Sequence, residues 1–293
     1  MFQSIFAVAL WKWALAMFLI LNLKSLPFFW HLRFFRALWV GIRLHRKAAH
    51  RFQPSHIFLP TISTSQAPLM EMDFNLHKSN STYFTDLDVV RAYHSGVLFG
   101  PLFMPELGGR RCNLIVGALA CTFKREIKIQ RGYDMSTKVV SWDNKWIYMV
   151  THFVERGRSY PGRGLLQTAP VEGKNEALEW IVGGAQYVFA SAITRFVCKR
   201  GRMTVPPVHA LEQCGLLPTT ASAFDSDASK NIDSTLPQEI ESYRQNNLPI
   251  VQLQQGWDKV HELFSEQECV LGRYEDFGWY KGCIQRLVRG FGN

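Results

Sequence analysis

Glu71-Met72-Asp73-Phe74-Asn75-Leu76-His77-Lys78-Ser79-Asn80-Ser81-Thr82-Tyr83 is the stretch that decides how this 293-residue chain is read. Two carboxylates and a histidine precede a run of small polar residues of the kind that start helices, with Ser81 or Asn80 as the expected cap. From Ser81 to Gly100, Tyr83, Leu87, Val90 and Val97 recur on one face, which predicts one long helix closed by Gly100-Pro101. Taken singly, Asp73 suits a turn or cap, His77 a loop histidine bonded to backbone, and Asn80 a helix cap.

Around this helix the composition is that of an α+β domain. Residues 56–72 suit a strand. After the helix, 113–129, 135–142 and 145–155 are rich in Val, Ile, Thr and aromatics, and the short Asp143-Asn144 turn predicts an antiparallel hairpin between the last two. A further strand fits 187–197. Residues 156–173 read as a Gly/Pro-rich loop, 175–181 as a short helix, 206–214 as another, 219–234 as a polar linker, and 238–247 and 251–264 as helices. The expected organisation is an anchor and basic segment over 1–50, a main domain over 51–216, a linker over 217–236 and a helical extension over 237–293.

Working outward to the amino end, Ile5 to Leu23 is apolar except for Lys12 and Asn22. As a helix it reaches roughly 28 Å, close to a bilayer's hydrocarbon thickness. Trp11 and Trp13 flank Lys12, whose stem can carry its charge toward the headgroups. No basic segment precedes the run, which argues against a cleaved signal peptide. The first 70 residues hold eight Lys/Arg and no Asp or Glu, leaving 25 basic against 24 acidic residues for the rest of a chain whose net charge is +9. Arg33, Arg36, Arg43, Arg46, Lys47 and Arg51 oppose Phe35, Leu38 and Ile42 at helical spacing, a pattern suited to an interfacial helix on an anionic leaflet. The charge follows the span, so the body is expected on the cytosolic side of a single-pass membrane protein, with the endoplasmic reticulum as the default membrane. Nucleic acid is not an expected partner, because the preceding apolar run has no place in that reading. Six cysteines without a Cys-x-x-Cys are expected as reduced thiols.

The quoted stretch resembles the signature of the 4-hydroxybenzoyl-CoA thioesterase-like hot-dog proteins: acidic-x-Asp, three residues, His-x-Asn-Asn, two residues, Tyr. Asp73, His77, Asn80 and Tyr83 fall on matching positions, while Leu76 stands where the family has Gly and Ser79 where it has the first Asn. Residues 124–134 and 142–148 are similar to the family's hairpin region, and the likeness covers about 56–216. With the amino-terminal segment it is most similar to the thioesterase superfamily member 6-like branch. The resemblance implies a hot-dog fold, an antiparallel sheet wrapped around one long helix, and edge-to-edge pairing into a homodimer or higher oligomer. It also implies a thioester such as acyl-CoA as substrate, with Asp73 as nucleophile or base and His77 beside it. Asn80, Ser81 and Tyr83 would bind substrate, the backbone near Asn80 and Ser81 polarising the carbonyl. A non-catalytic acyl-CoA or lipid binder is the alternative, and a dehydratase using His77 with Glu71 or Asp73 comes third. The motifs of serine hydrolases, glycerolipid acyltransferases, P-loop NTPases and zinc metalloproteases do not occur, and no metal or redox cofactor is implied.

Overall fold

The computed structural model describes residues 2–105, 111–158, 164–166, 184–217, 236–264 and 270–276, with side chains from residue 11 onward except at 236 and 237. The expected loop and helix over 156–181 and the linker over 219–234 lie mostly or wholly outside them.

Helix α3, Asn80–Leu98, begins one residue before the expected Ser81 and is followed by the single turn of α4, Gly100–Phe103. The strands are β1 (Thr61–Gln66), β2 (Asn113–Phe123), β3 (Gly132–Trp142), β4 (Ile147–Glu155), β5 (Val188–Arg200), β6 (Met203–Val205) and β7 (Gly272–Glu275). They form one sheet ordered β2-β5-β4-β3-β1-β7, with β6 on β5. Every pairing is antiparallel except β1 with β7. The Asp143 turn joins β3 to β4 as expected, its carboxylate accepting the N–H groups of Lys145 and Trp146 at 2.7 Å each. A sheet holding one long helix against its inner face is the hot-dog arrangement.

Tyr83, Leu87 and Val90 of α3 pack with Met135, Phe153 and Ala190 of the sheet. Strands β3 and β4 are buried along nearly their whole length, not in alternation. The reason lies on the outer face, where Val140, Val150 and Ile193 meet Val251, Val260 and Leu263 of a helical cover made of α6 (Leu236–Val251) and α7 (Gly256–Glu262). Along the chain between β6 and this cover, α5 (Pro207–Gln213) occupies the helix expected over 206–214.

The amino-terminal segment forms α1 (Phe2–Leu21) and α2 (Phe29–Ala48). Among the described residues no helix is long and apolar enough to cross a membrane. The expected transmembrane segment therefore has its helical form here and no further support. Helix α2 differs more from expectation. Instead of offering a whole apolar face to a leaflet, it turns Ala37, Gly41, Ile42 and His45 inward and packs on α3. Contact is close enough that a Cβ on Gly41 would lie 2.4 Å from the Tyr93 carbonyl oxygen, and one on Gly96 2.6 Å from that of Leu38. From α2 through α3 and the sheet to α6 and α7, four layers are stacked.

Candidate functional site

The stretch before α3 folds back on itself. Met72 and Lys78 form a bridge, Asp73 N–H donates to the His77 carbonyl at 2.8 Å, and Ser79 N–H donates to the Glu71 carbonyl at 2.8 Å. Lys78 N–H donates to the Ile127 carbonyl at 2.8 Å, so the small hairpin stands on the loop after β2. At its bend Leu76 takes φ 59°. The left-handed conformation that a glycine would supply without strain is thus present despite the Leu side chain.

The predicted site residues divide between this hairpin and the helix start. Asp73 Oδ1 accepts the N–H groups of Asn75 at 2.9 Å and His77 at 3.2 Å, and Oδ2 has no partner among the described residues. Thus Asp73 and His77 are brought together, though through the His77 backbone. The His77 ring faces another carboxylate, with Nε2 3.5 Å from Glu126 Oε1. The Glu71 carboxylate is engaged by Lys24 and Lys78. Neither pairing proposed for a dehydratase is formed. Asn80 and Ser81 are exposed in the first turn of α3, whose N-cap is Ser79, not the expected Asn80 or Ser81. Ser79 makes no side-chain capping bond, its Oγ lying 3.1 Å from that of Ser81. No acceptor meets the backbone N–H of Asn80 or Ser81 among the described residues. Tyr83 is carried away from the helix mouth, buried between the rings of Phe123 and Phe153 at 5.0 and 4.9 Å.

Directly beneath the hairpin lies a cluster that sequence reasoning missed. Lys24 Nζ donates to Glu71 Oε2 at 3.0 Å, to Asp86 Oδ2 at 2.9 Å and to the Gln66 carbonyl at 3.2 Å. Lys78 Nζ sits 3.0 Å from Asp86 and on Glu71. Arg33 bridges Asp86 at 2.7 Å and Asp276, its Nε reaching Asp276 Oδ2 at 3.0 Å, while the Tyr133 hydroxyl donates to Asp86. All seven side chains are buried. Burial alone would raise the Asp86 carboxyl, but Lys24, Lys78 and Arg33 hold it well below its ordinary value. For Lys78 burial acts downward and is outweighed by Asp86 and Glu71, which raise it. Three cations and three carboxylates balance, and the lattice grips the hairpin at Glu71 and Lys78. One signal was available: Asp86 lies three residues after Tyr83 and four before Val90, on the apolar face of α3, where a carboxylate needs a buried partner.

Two cavities lie elsewhere. One of about 710 Å³ is lined by His45, Phe52, Gly100, Met104 and Cys214 among others, at the far end of α3. The other, about 380 Å³, lies between Leu119, Tyr148, Ile193 and Leu253. Neither is lined by a predicted site residue.

Comparison with known proteins gives these geometries a family context. Residues 67–202 match the model of the Thioesterase-like superfamily. Probable thioesterase atnL of Emericella nidulans is 31% identical over 288 residues, covering 89% of this chain and 90% of that protein. Protein THEM6 of Danio rerio is 28% identical over 127 residues, 43% of this chain and 59% of that protein. Among solved structures, YbaW, a probable thioesterase from Escherichia coli, aligns with a TM-score of 0.36 at 12% identity, covering 54% of this chain and 98% of that one.

Proposed function

The chain belongs to the thioesterase-like hot-dog superfamily, and from that premise we propose that it hydrolyses acyl-CoA or a related thioester at the mouth of α3. One arrangement carries the reading. Asp73 has one oxygen fixed by backbone and the other without a partner among the described residues, on a hairpin that runs into a helix start whose first N–H groups meet no acceptor. In the proposed step Asp73 takes a proton from water as the oxygen attacks the thioester carbon. The tetrahedral oxyanion lies against the N–H groups of Asn80 and Ser81 and the positive end of the helix, and its collapse expels the thiolate, which recovers the proton from Asp73. His77, on the same hairpin, lies beside the acting carboxylate.

The test is hydrolysis of an acyl-CoA panel by the full chain, wild type beside Asp73→Asn. The substitution keeps size and the Oδ1 bonds but removes the charge, so turnover is expected to fall by about 10²–10⁴-fold with affinity little changed. Equal turnover would remove Asp73 from the chemistry. No turnover by wild type would favour a non-catalytic acyl-CoA or lipid binder, a reading supported by the backbone bonds that let Asp73 serve as a turn residue.

The same proposal includes attachment to a membrane through residues 5–23, with the body on the cytosolic side of the endoplasmic reticulum. It is supported by the exposed Trp11, Trp13, Met17 and Phe18 of α1 and by the absence of any acidic residue before Glu71. Release of the full chain from membranes by alkaline carbonate would refute spanning. A homodimer through β2 completes the reading. Strand β7 covers one sheet edge, whereas β2 has a partner on one side only among the described residues and exposes Ile115 and Val116. A monomer by sedimentation at micromolar concentration would argue against it.

A further inference from the structure

We propose that the tip of the Asp73 hairpin, Phe74 and Leu76, is a lipid-contact element that inserts into the surface of a bilayer beside the proposed thioesterase site. This rests on the membrane-attachment reading above and adds to it a second point of contact, at the site itself.

Phe74 is 94% exposed and Leu76 60% exposed. A single exposed apolar side chain is ordinary. Here two share a five-residue bend, and at its base Leu69 and Met70 are also exposed. Leu76 moreover holds φ 59°, a conformation that is strained for a leucine and easy for Gly or Asn. Within the described fold neither the strain nor the exposure of this side chain is compensated by packing. A partner outside the fold accounts for the exposure.

Two observations choose a bilayer as that partner. The hairpin base is tied to the end of the apolar helix α1, because Met70 N–H donates to Asn22 Oδ1 at 2.8 Å and Lys24 reaches Glu71 at 3.0 Å. The last turn of α1 presents Phe18, Leu19, Ile20 and Leu21 outward, so apolar surface continues from the helix to the hairpin base. Charge does not oppose it: Glu71 and Asp86 beneath the hairpin are buried and matched by Lys24, Lys78 and Arg33, so neither meets anionic headgroups unpaired. An acyl chain held in the bilayer would then reach Asp73 along an apolar edge.

The experiment uses full-length Phe74→Trp and wild type in vesicles of phosphatidylcholine and phosphatidylserine, with and without bromine along the acyl chains. Co-sedimentation is measured first. If the chain does not pellet with the vesicles, the attachment reading fails and this proposal with it. If it pellets, the fluorescence that the introduced indole adds over wild type is expected to lose more than half its intensity to brominated lipid and little to aqueous iodide. Quenching by iodide alone would place the tip in water and overturn the proposal while leaving attachment intact. Quenching by neither would also overturn it, in favour of a second copy or another protein covering the tip. No outcome depends on turnover, so failure of the thioesterase reading is read separately by Asp73→Asn.

Discussion

Two buried polar regions lie on opposite faces of the sheet, and they are built on opposite principles. On the inner side, at the hairpin, six charged groups from α2, α3, the residue after β7 and the connecting segments are buried with each carboxylate on at least one cation. On the outer side, under α7, Ser191 lies between His152 Nδ1 at 2.9 Å and His261 Nδ1 at 2.7 Å. These imidazoles are held below their ordinary pKa by burial first, with Lys138 adding to the effect at His152 and Lys124 at His261, against a smaller raising by Asp258 on the latter. His94 of α3, bonded to Thr61, is pushed by burial down to about 3. The charged region keeps its ions because every one has a partner, while the imidazole region stays buried by remaining neutral. Full charge pairing gives tolerance of pH and intolerance of any missing member. Neutral burial gives the reverse.

The largest test breaks the charged region. Asp86→Ala leaves Lys24, Lys78 and Arg33 to share two carboxylates and should cost about 3–5 kcal/mol in urea unfolding, against about 1–3 kcal/mol for Ser191→Ala in the other region. Equal losses would erase the distinction. Deleting residues 1–50 removes Lys24 and Arg33 together, and the remaining chain is expected to lose its cooperative transition.

A second test uses pH. Folded His94 and His152 resist protonation until well below the value of about 6.5 at which the unfolded chain binds protons. Their contribution is complete above that pH and is lost as pH falls, by roughly 1.4 kcal/mol per pH unit for each ring. Asp86, held low, contributes above about pH 4 and is lost only as pH falls further toward its folded value. Unfolding free energies at pH 7 and 5.5 should therefore differ, with a slope that Asp86→Ala leaves unchanged. A flat profile would mean that water already reaches the two rings.

The smallest expected effect concerns salt. Buried pairs are little screened, so moving from physiological to molar salt should change the difference between wild type and Asp86→Ala by less than roughly 0.5 kcal/mol. A larger change, measured by the same unfolding curves, would place the cluster near solvent.

The same contrast explains what the amino-acid sequence disclosed. Helix α3 and the β3–β4 hairpin were legible because local signals agree: an apolar face at helical spacing, and an Asp-Asn turn between β-rich runs. The 56–72 segment shrank to the six residues of β1 because Pro60 and Pro68 bound it. Strand β7 is four residues, Gly272–Glu275, whose place is set by the free edge of β1 rather than by any pattern of its own. The charged cluster was hidden for the same reason, since Lys24, Glu71, Asp86 and Asp276 meet only in three dimensions. At the site, proximity along the chain made Asp73, His77 and Asn80 findable. The Glu126 partner of His77 arrives from another loop and was not.

Arg33 and Asp276 are 243 residues apart. On a ribosome adding about 5–20 residues per second, the arginine of α2 waits roughly 12–50 s for that carboxylate to be made. Until then α2 can be held on α3 by the face around Gly41, and the turn before it by Lys24, but α2 carries a guanidinium with one of its two anions missing. Completion of the first helices is thereby deferred to the end of synthesis. A chain stopped before residue 276 would bear its defect beside residue 33, at the opposite terminus.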